Sequence, residues 1–361
     1  MQIAKAVALL FCLALSGHAT PTNREGKFVV VVNPKTCDGN GKSGVCLPYF
    51  YCGKYEGTVE GKCSLGLGEC CVYKKTCGSS SFAITTHFSS ADGDATKKGE
   101  CAMSLTKAED VCQLRLELKT AELAPPDAEG VCQDQYLQVE GVSGVSPKIC
   151  GTNSGQEIYL DVRSDDGPFE VKVTNNVESP DSEWDVEVEQ IGCTSPDLAP
   201  AGCLQYYKGT TGEIQSFNYE DAPTDAEQPN GNTGSRHLQE DYSICIRQEP
   251  GYCSIKWTAA MGETHAFTLT GDLVGIPGIF PPIFGSAIDS VCPFTDHLVI
   301  AGGTAITGGT ESPASIICGS EFPDEVVSDS FRVDVVTNEQ EGNDADYDNR
   351  GFHLEYEQVE C

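Results

Sequence analysis

The run from Ile149 to Cys193 decides how this chain is read. It opens with ICG (Ile149–Gly151), continues through FEVKVTN (Phe169–Asn175) and closes with WDVEVEQIGC (Trp184–Cys193). The C-terminus repeats it as ICG (Ile317–Gly319), FRVDVVTN (Phe331–Asn338) and FHLEYEQVEC (Phe352–Cys361). Cys150 and Cys193 lie 43 positions apart, and so do Cys318 and Cys361. Self-similarity of this kind marks a duplicated structural unit. Apolar residues alternate in both copies: Phe169, Val171, Val173, then Trp184, Val186, Val188; Phe331, Val333, Val335, then Phe352, Leu354, Tyr356. Period two predicts strands with one face on a core and one in water.

Working outward, the cysteines match between copies. Cys132 corresponds to Cys292, each followed by an acid and an alternating strand. Cys112 (CQLRLEL) corresponds to Cys253 (CSIKW), Cys101 to Cys245 and Cys77 to Cys203. Each copy thus holds six cysteines, an even number able to close on itself.

The chain has 361 residues and 19 cysteines, a usage typical of an oxidising compartment. Residues 1–19 read as a signal peptide: MQIAK is the positive start, AVALLFCLAL the apolar core and Gly17-His18-Ala19 the small-residue cleavage site. Its removal takes Cys12 and leaves 18 cysteines, all expected in disulfides. No later segment reads as a membrane span, so the mature protein is expected to be secreted. The net charge of −31 excludes nucleic-acid binding and mainly keeps a secreted chain soluble. No Asn-x-Ser/Thr sequon occurs, so no N-glycosylation is expected.

Residues 20–36 form an N-terminal segment with one apolar run, Phe28–Val32. Residues 37–71 are a glycine-rich block with cysteines 37, 46, 52, 63, 70 and 71, too small to build a core without disulfides. The first repeat covers 72–193, a linker 194–202 and the second repeat 203–361. In the second, GCLQYYKGTTGEIQSFNY (Gly202–Tyr219) reads as a hairpin around Gly209–Gly212, and SICIRQEPGYCSIKW (Ser243–Trp257) as another turning at Pro250-Gly251. Glu220–Asp241 is an acidic surface loop; Gly271–Ser290 is an apolar, Gly/Pro-rich insert. The fold class is all-β, with two sandwiches in tandem.

The cysteine block, with its terminal adjacent pair, resembles the arthropod clip domain. That resemblance implies Cys37–Cys70, Cys46–Cys63 and Cys52–Cys71. Each repeat resembles a CUB domain, an extracellular jelly-roll-like sandwich. The residues that carry this are Cys77-Gly78, the strand-opening Cys101 and Cys245, the acid and strand after Cys132 and Cys292, Cys-Gly at 150 and 318, and Gly351-Phe352. The whole is similar to secreted arthropod CUB-domain proteins, and the resemblance implies Cys77–Cys101, Cys132–Cys150, Cys203–Cys245 and Cys292–Cys318. CUB domains ordinarily have two disulfides; here a third pair is present in each repeat. Antiparallel neighbours place one strand's start beside another's end, which assigns it as Cys112–Cys193 and Cys253–Cys361. The rival is a local Cys245–Cys253 bridge, disfavoured because a planar hairpin sets Cys253 opposite about Gln248.

Calcium-binding CUB domains use a glutamate before the third family cysteine, an aspartate after it and a late aspartate. Here Asp134 and Asp296 match the second ligand, but the glutamate is not matched and the late position is Thr174-Asn175 or Thr337-Asn338. Calcium takes six or more oxygens, so Asp134 and Asp296 are expected to serve loop hydrogen bonds and no cofactor is expected.

Clip domains usually precede a trypsin-like protease, whose triad needs His, Asp and Ser in hydrogen-bond reach. No Gly-Asp-Ser-Gly occurs, and the histidines (87, 237, 265, 297, 353) read as surface or loop residues. His297 beside Asp296 on a strand points to the opposite face, so they form no dyad. The chain reads as a non-enzyme: an extracellular module that binds a protein partner. The alternatives are a structural matrix or cuticle component and a calcium-dependent lectin-like binder. The expected contact surface is the uncharged IPGIFPPIF, specifically Ile276, Pro277, Ile279, Phe280, Ile283 and Phe284. The competing reading has Ile279, Phe280 and Phe284 folded back over an open edge of their own sandwich.

Overall fold

The computed structural model describes residues 36–90, 98–219 except 128, 145 and 179–181, 237–263, 266–269, 286–288, 292, 295–319, 321–338 and 350–361. The signal-peptide reading, the Phe28–Val32 run and the 276–284 contact surface lie outside the described residues. The chain folds as two compact units. Of the described residues, one holds those from Thr36 to Val72 with Ala108–Asp110; the other holds those from Tyr73 to Lys107 and from Val111 to Cys361.

In the first unit, a four-stranded antiparallel sheet runs in the order Thr36–Gly39, Lys42–Pro48, Gly68–Val72, Thr58–Cys63. Asn40 and Gly41 both have positive φ and join the first two strands through the Gly39–Lys42 pair, the two-residue turn that matches strand twist. Disulfides join Cys37 to Cys70, Cys46 to Cys63 and Cys52 to Cys71. Cystines stand where a larger domain has aliphatic side chains: Cys46, Cys52, Cys70 and Cys71 are buried beside Val72. Gly57 leaves room for them, since a Cβ there would lie 2.2 Å from Cys71 Sγ.

The second unit contains two β-sandwiches. The first packs a sheet ordered Ser79–Ser81, Gly99–Leu105, Phe169–Asn175, Gln135–Glu140 against one ordered Lys74–Lys75, Thr85–Ser89, Glu183–Gly192, Val111–Glu122, Glu157–Asp161. Alternation directs Phe169, Val171 and Val173 inward from one sheet, and Leu114, Leu116, Leu118, Trp184, Val186 and Val188 from the other. The second sandwich reproduces this order. Gln205–Tyr207, Tyr242–Ile246, Arg332–Val336 and His297–Val299 form one run, and Ile316–Gly319 and Ser286–Ile288 extend it. Thr211–Gln215, Gly351–Glu360, Tyr252–Ala259 and Glu325–Ser328 form the other, extended by Thr304–Thr307 and Thr310–Pro313. In each sandwich the short strand after the first cysteine pairs parallel with the next cysteine-bearing strand.

Both hairpin expectations are corrected. Gln205–Tyr207 pairs with Tyr242–Ile246, whereas Thr211–Gln215 pairs with Gly351–Glu360 in the facing sheet. Tyr242–Ile246 pairs with Arg332–Val336, and Tyr252–Ala259 with Gly351–Glu360 and Glu325–Ser328. Both turns are corners at which the chain crosses from one layer to the other. Cys245 and Cys253 therefore lie in opposite sheets; they bond to Cys203 and Cys361. Val111 is paired with Gly192, and Cys112 is bonded to Cys193. The remaining disulfides are Cys77–Cys101, Cys132–Cys150 and Cys292–Cys318.

Candidate binding site at the junction of the sandwiches

The edge strand Glu157–Asp161 of the first sandwich meets the start of the second. The amide of Tyr159 donates to Leu204 O at 2.7 Å, and the Leu204 amide donates to Ser243 O at 2.9 Å. Backbone bonding thus passes from one sandwich to the other. Gln113 grips the linker at Ala199, donating from Nε2 to Ala199 O (2.9 Å) and accepting from Ala199 N at Oε1 (2.8 Å). An apolar seam of Tyr159, Ile191, Ala199, Cys203, Tyr206 and Cys245 lies beneath, with Tyr159 and Tyr206 edge to face at 6.0 Å.

A second, polar seam surrounds Cys150-Gly151. Asn218 stands at φ 58, its Oδ1 accepting from Thr152 N at 2.9 Å and its own amide donating to Asn153 Oδ1 at 2.7 Å. Gln156 donates to Ser216 O and accepts from Gln205 Nε2. Gly151 is required here twice over: φ is +76, and a Cβ would fall 1.8 Å from Asn218 Oδ1. Further along, Gln239 N donates to Gly130 O at 2.9 Å, and Lys148 N to Glu240 Oε1 at 3.2 Å.

Between these contacts lies a cleft of about 280 Å³. Tyr159, Leu160, Val142, Pro147, Pro200, Leu204 and Tyr242 give it apolar walls, and Asp161, Glu240 and Asp241 add carboxylates. Such a mixture of apolar wall and few polar groups is the usual lining of a binding cleft. Desolvation pushes the Glu240 carboxyl upward, opposed by the Lys148 amide that donates to it. Just outside the cleft, burial pushes Glu157 up to about 7, with Arg115 opposing and Glu117 reinforcing the rise. Burial also raises the Tyr159 and Tyr242 phenols, and the Tyr242 hydroxyl accepts from Phe217 N at 3.3 Å.

The two aspartates singled out in the sequence are not equivalent. Asp134 is exposed, and its carbonyl accepts from Asn176 N at 2.7 Å. Asp296 is buried; its Oδ1 accepts from Asn338 N at 2.7 Å, and its Oδ2 faces His237 Nε2 at 3.1 Å. Asn175 and Asn338 supply amides where a calcium site needs an acid, and the Asp296 carboxylate is already engaged. Among the described residues no three His, Cys, Asp or Glu side chains are grouped to hold a metal ion. These residues do not fit calcium.

The expectation that the histidines are surface or loop residues is corrected for His87, His237, His297 and His353, all of which are buried. His265 lies outside the described residues. Each buried ring faces an acceptor that compensates its lost hydration. His87 lies between Asp185 (3.7 Å) and Glu187 (3.6 Å), and His353 between Glu263 (2.7 Å) and Glu213 (3.2 Å). His297 Nδ1 lies 2.6 Å from Thr295 O. His87, His297 and His353 lie in strands and His237 does not; the carboxylates that face His87, His237 and His353 come from other segments of the chain, so no local signal announced them.

Among the described residues no helix is long and apolar enough to cross a membrane. No curated protein matches the chain. Among solved structures, the CUB1-EGF-CUB2 domains of rat MASP-1 align over 79% of this chain and 100% of that one, at 13% identity and a TM-score of 0.25. The CUB1-EGF-CUB2 domain of human MASP-1/3 aligns over 77% and 100%, at 14% identity and a TM-score of 0.25. The animal CUB domain model matches residues 200–359, and the second sandwich is therefore a CUB domain.

Proposed function

We propose that this chain is a secreted, non-catalytic adaptor that binds an extracellular protein through two CUB-type sandwiches held as one body. In this reading, residues 1–19 are a signal peptide, 37–71 a clip-like module, 72–193 a first CUB-like domain and 203–361 the second. The observation that carries it is the junction cleft. A flexible tether between independent modules needs no Gln113 clamp, no Asn218–Gly151 fit and no shared apolar seam. The family match and the nine disulfides fit an extracellular binding protein. Support for a first CUB-like domain is the strand order, which the second sandwich repeats.

The test is co-purification from the native extracellular fluid, with the full chain immobilised. The same partner should be retained with and without EDTA. An Asp161→Arg chain, altered at the cleft, should retain at least tenfold less. Retention abolished by EDTA would move the assignment to a calcium-dependent lectin-like binder. Equal retention by Asp161→Arg would remove the cleft from the interface. A second contact is proposed at Ile276–Phe284. Changing Ile279, Phe280 and Phe284 together to Ser should reduce capture and leave Tm unchanged; a large fall in Tm with capture intact assigns those residues to a core.

A further inference from the structure

The disulfide-rich unit carries an exposed apolar ridge. Two loops build it, the helical turn Tyr51–Lys54 with its approach and the turn Ser64–Gly66. At their tips stand Phe50, 92% exposed, and Leu65, fully exposed. Tyr49, Tyr51 and Leu67 are exposed beside them. The loops are tied together, since Tyr49 Oη donates to Gly66 O at 2.9 Å. The Tyr51 and Tyr55 rings stack at 6.2 Å, and Lys54 Nζ lies 5.9 and 6.0 Å from their centroids.

The backbone at both tips is strained. Phe50 stands at φ 73 and Leu65 at φ 58, conformations in which glycine is at ease and a bulky residue is not. Stability alone favours glycine at both places, and burial does not explain the side chains. Strain kept where it presents exposed apolar groups points to binding.

The charge pattern selects the partner. Across Tyr49–Tyr55 and Ser64–Gly68, Lys54 is the only charged residue. From Thr36 to Val72 three lysines (42, 54, 62) face four acids (38, 56, 60, 69), within a chain of net −31. With Glu109 and Asp110 the unit as a whole is acidic, but the ridge itself carries one cation and no carboxylate, so an acidic group meets least repulsion there. We propose that this ridge docks a protein segment that carries apolar side chains flanked by carboxylates, Phe50 and Leu65 filling apolar contacts and Lys54 meeting a carboxylate. The inference rests on the reading of the chain as a protein-binding protein and names a partner class for a surface separate from the cleft.

The probe is a library of random 12-residue peptides displayed on phage and panned on the full-length chain. Peptides with an aromatic or aliphatic anchor next to Asp or Glu should be enriched. Synthetic copies should bind a Phe50→Gly/Leu65→Gly chain at least tenfold more weakly, while that chain melts at or above the parent because the strain is relieved. Lys54→Glu should abolish the preference for acids and retain the apolar anchor. Unchanged binding to the double-glycine chain overturns the proposal. If the peptides instead lose binding to Asp161→Arg, the ridge fails and the protein-binding reading stands. Ridge-dependent partition to phosphatidylcholine vesicles without peptide enrichment, or ridge-dependent self-association in sedimentation, overturns it in favour of a lipid surface or a second copy.

Discussion

The disulfide-rich unit and the two sandwiches solve one problem in opposite ways. From Thr36 to Val72 the buried apolar groups are mostly cystine sulfurs, and aromatic and leucine side chains stand in water. From Tyr73 onward, Trp184, Trp257, Phe88, Phe169, Phe217, Phe267 and Phe352 are fully buried, and the cystines tie strand ends together. A short segment buries too little apolar area to offset chain entropy, so covalent links take over. The comparison teaches where each region should fail: the small unit when its cystines are removed, the sandwiches when a core side chain is.

The largest effect is expected in the cores. Trp257→Ala or Trp184→Ala should cost about 3–5 kcal/mol. Because the seams at the junction join the sandwiches, either change should lower one shared calorimetric transition. Two separated transitions, only one of them shifted, would break the picture of a single cooperative body.

Next comes the small unit. Replacing Cys52 and Cys71 together by Ser should cost that unit about 2–4 kcal/mol. Limited proteolysis should then cut between residues 36 and 72, while Tyr73–Cys361 stays protected. Loss of protection throughout would show that the two units depend on each other.

A smaller effect is expected at the junction. Gly151→Ala forces a Cβ onto Asn218 Oδ1 at positive φ and should cost about 1–3 kcal/mol. Hydrogen exchange should quicken at Thr152 and Asn218, whose amides cross the seam, and not at Val171 or Val333 in the cores.

The smallest is electrostatic. Glu157 rises from its ordinary 4.5 to about 7, chiefly by desolvation. The folded state therefore holds this proton more tightly than the unfolded state. Stability from this group is fully present below pH 4.5, declines as pH rises and is lost above about 7. Glu157→Gln should flatten that decline and gain on the order of 1 kcal/mol at pH 8, where the side chain is still part-exposed and screened. Urea midpoints at pH 4.5 and 8 read it directly; a parallel decline in the variant would assign the pH dependence elsewhere.

Part of this architecture is legible in the sequence because its causes are local. Phe169, Val171 and Val173, or Trp184, Val186 and Val188, show which face of a strand is buried, since side chains alternate with period two. Duplication of ICG and the closing strands shows that the unit occurs twice. The Asn218–Gly151 fit and the His237–Asp296 pair join residues far apart in the chain, so no local signal announces them. The exposed Phe50 and Leu65 were hidden for another reason: an apolar residue in a short loop reads the same whether it points in or out.

The sequence by itself determined an all-β chain, the buried face of its main strands and the presence of two related units. Tertiary structure alone decided which sheet each strand joins. Gly202–Tyr219 and Ser243–Trp257 have the pattern of hairpins, yet their strands pair with Gly351–Glu360 and Arg332–Val336 and turn corners between layers. Period-two alternation records the face and says nothing of the neighbour. A strand takes the partner whose apolar face completes the core, and that partner stands up to about 150 residues away.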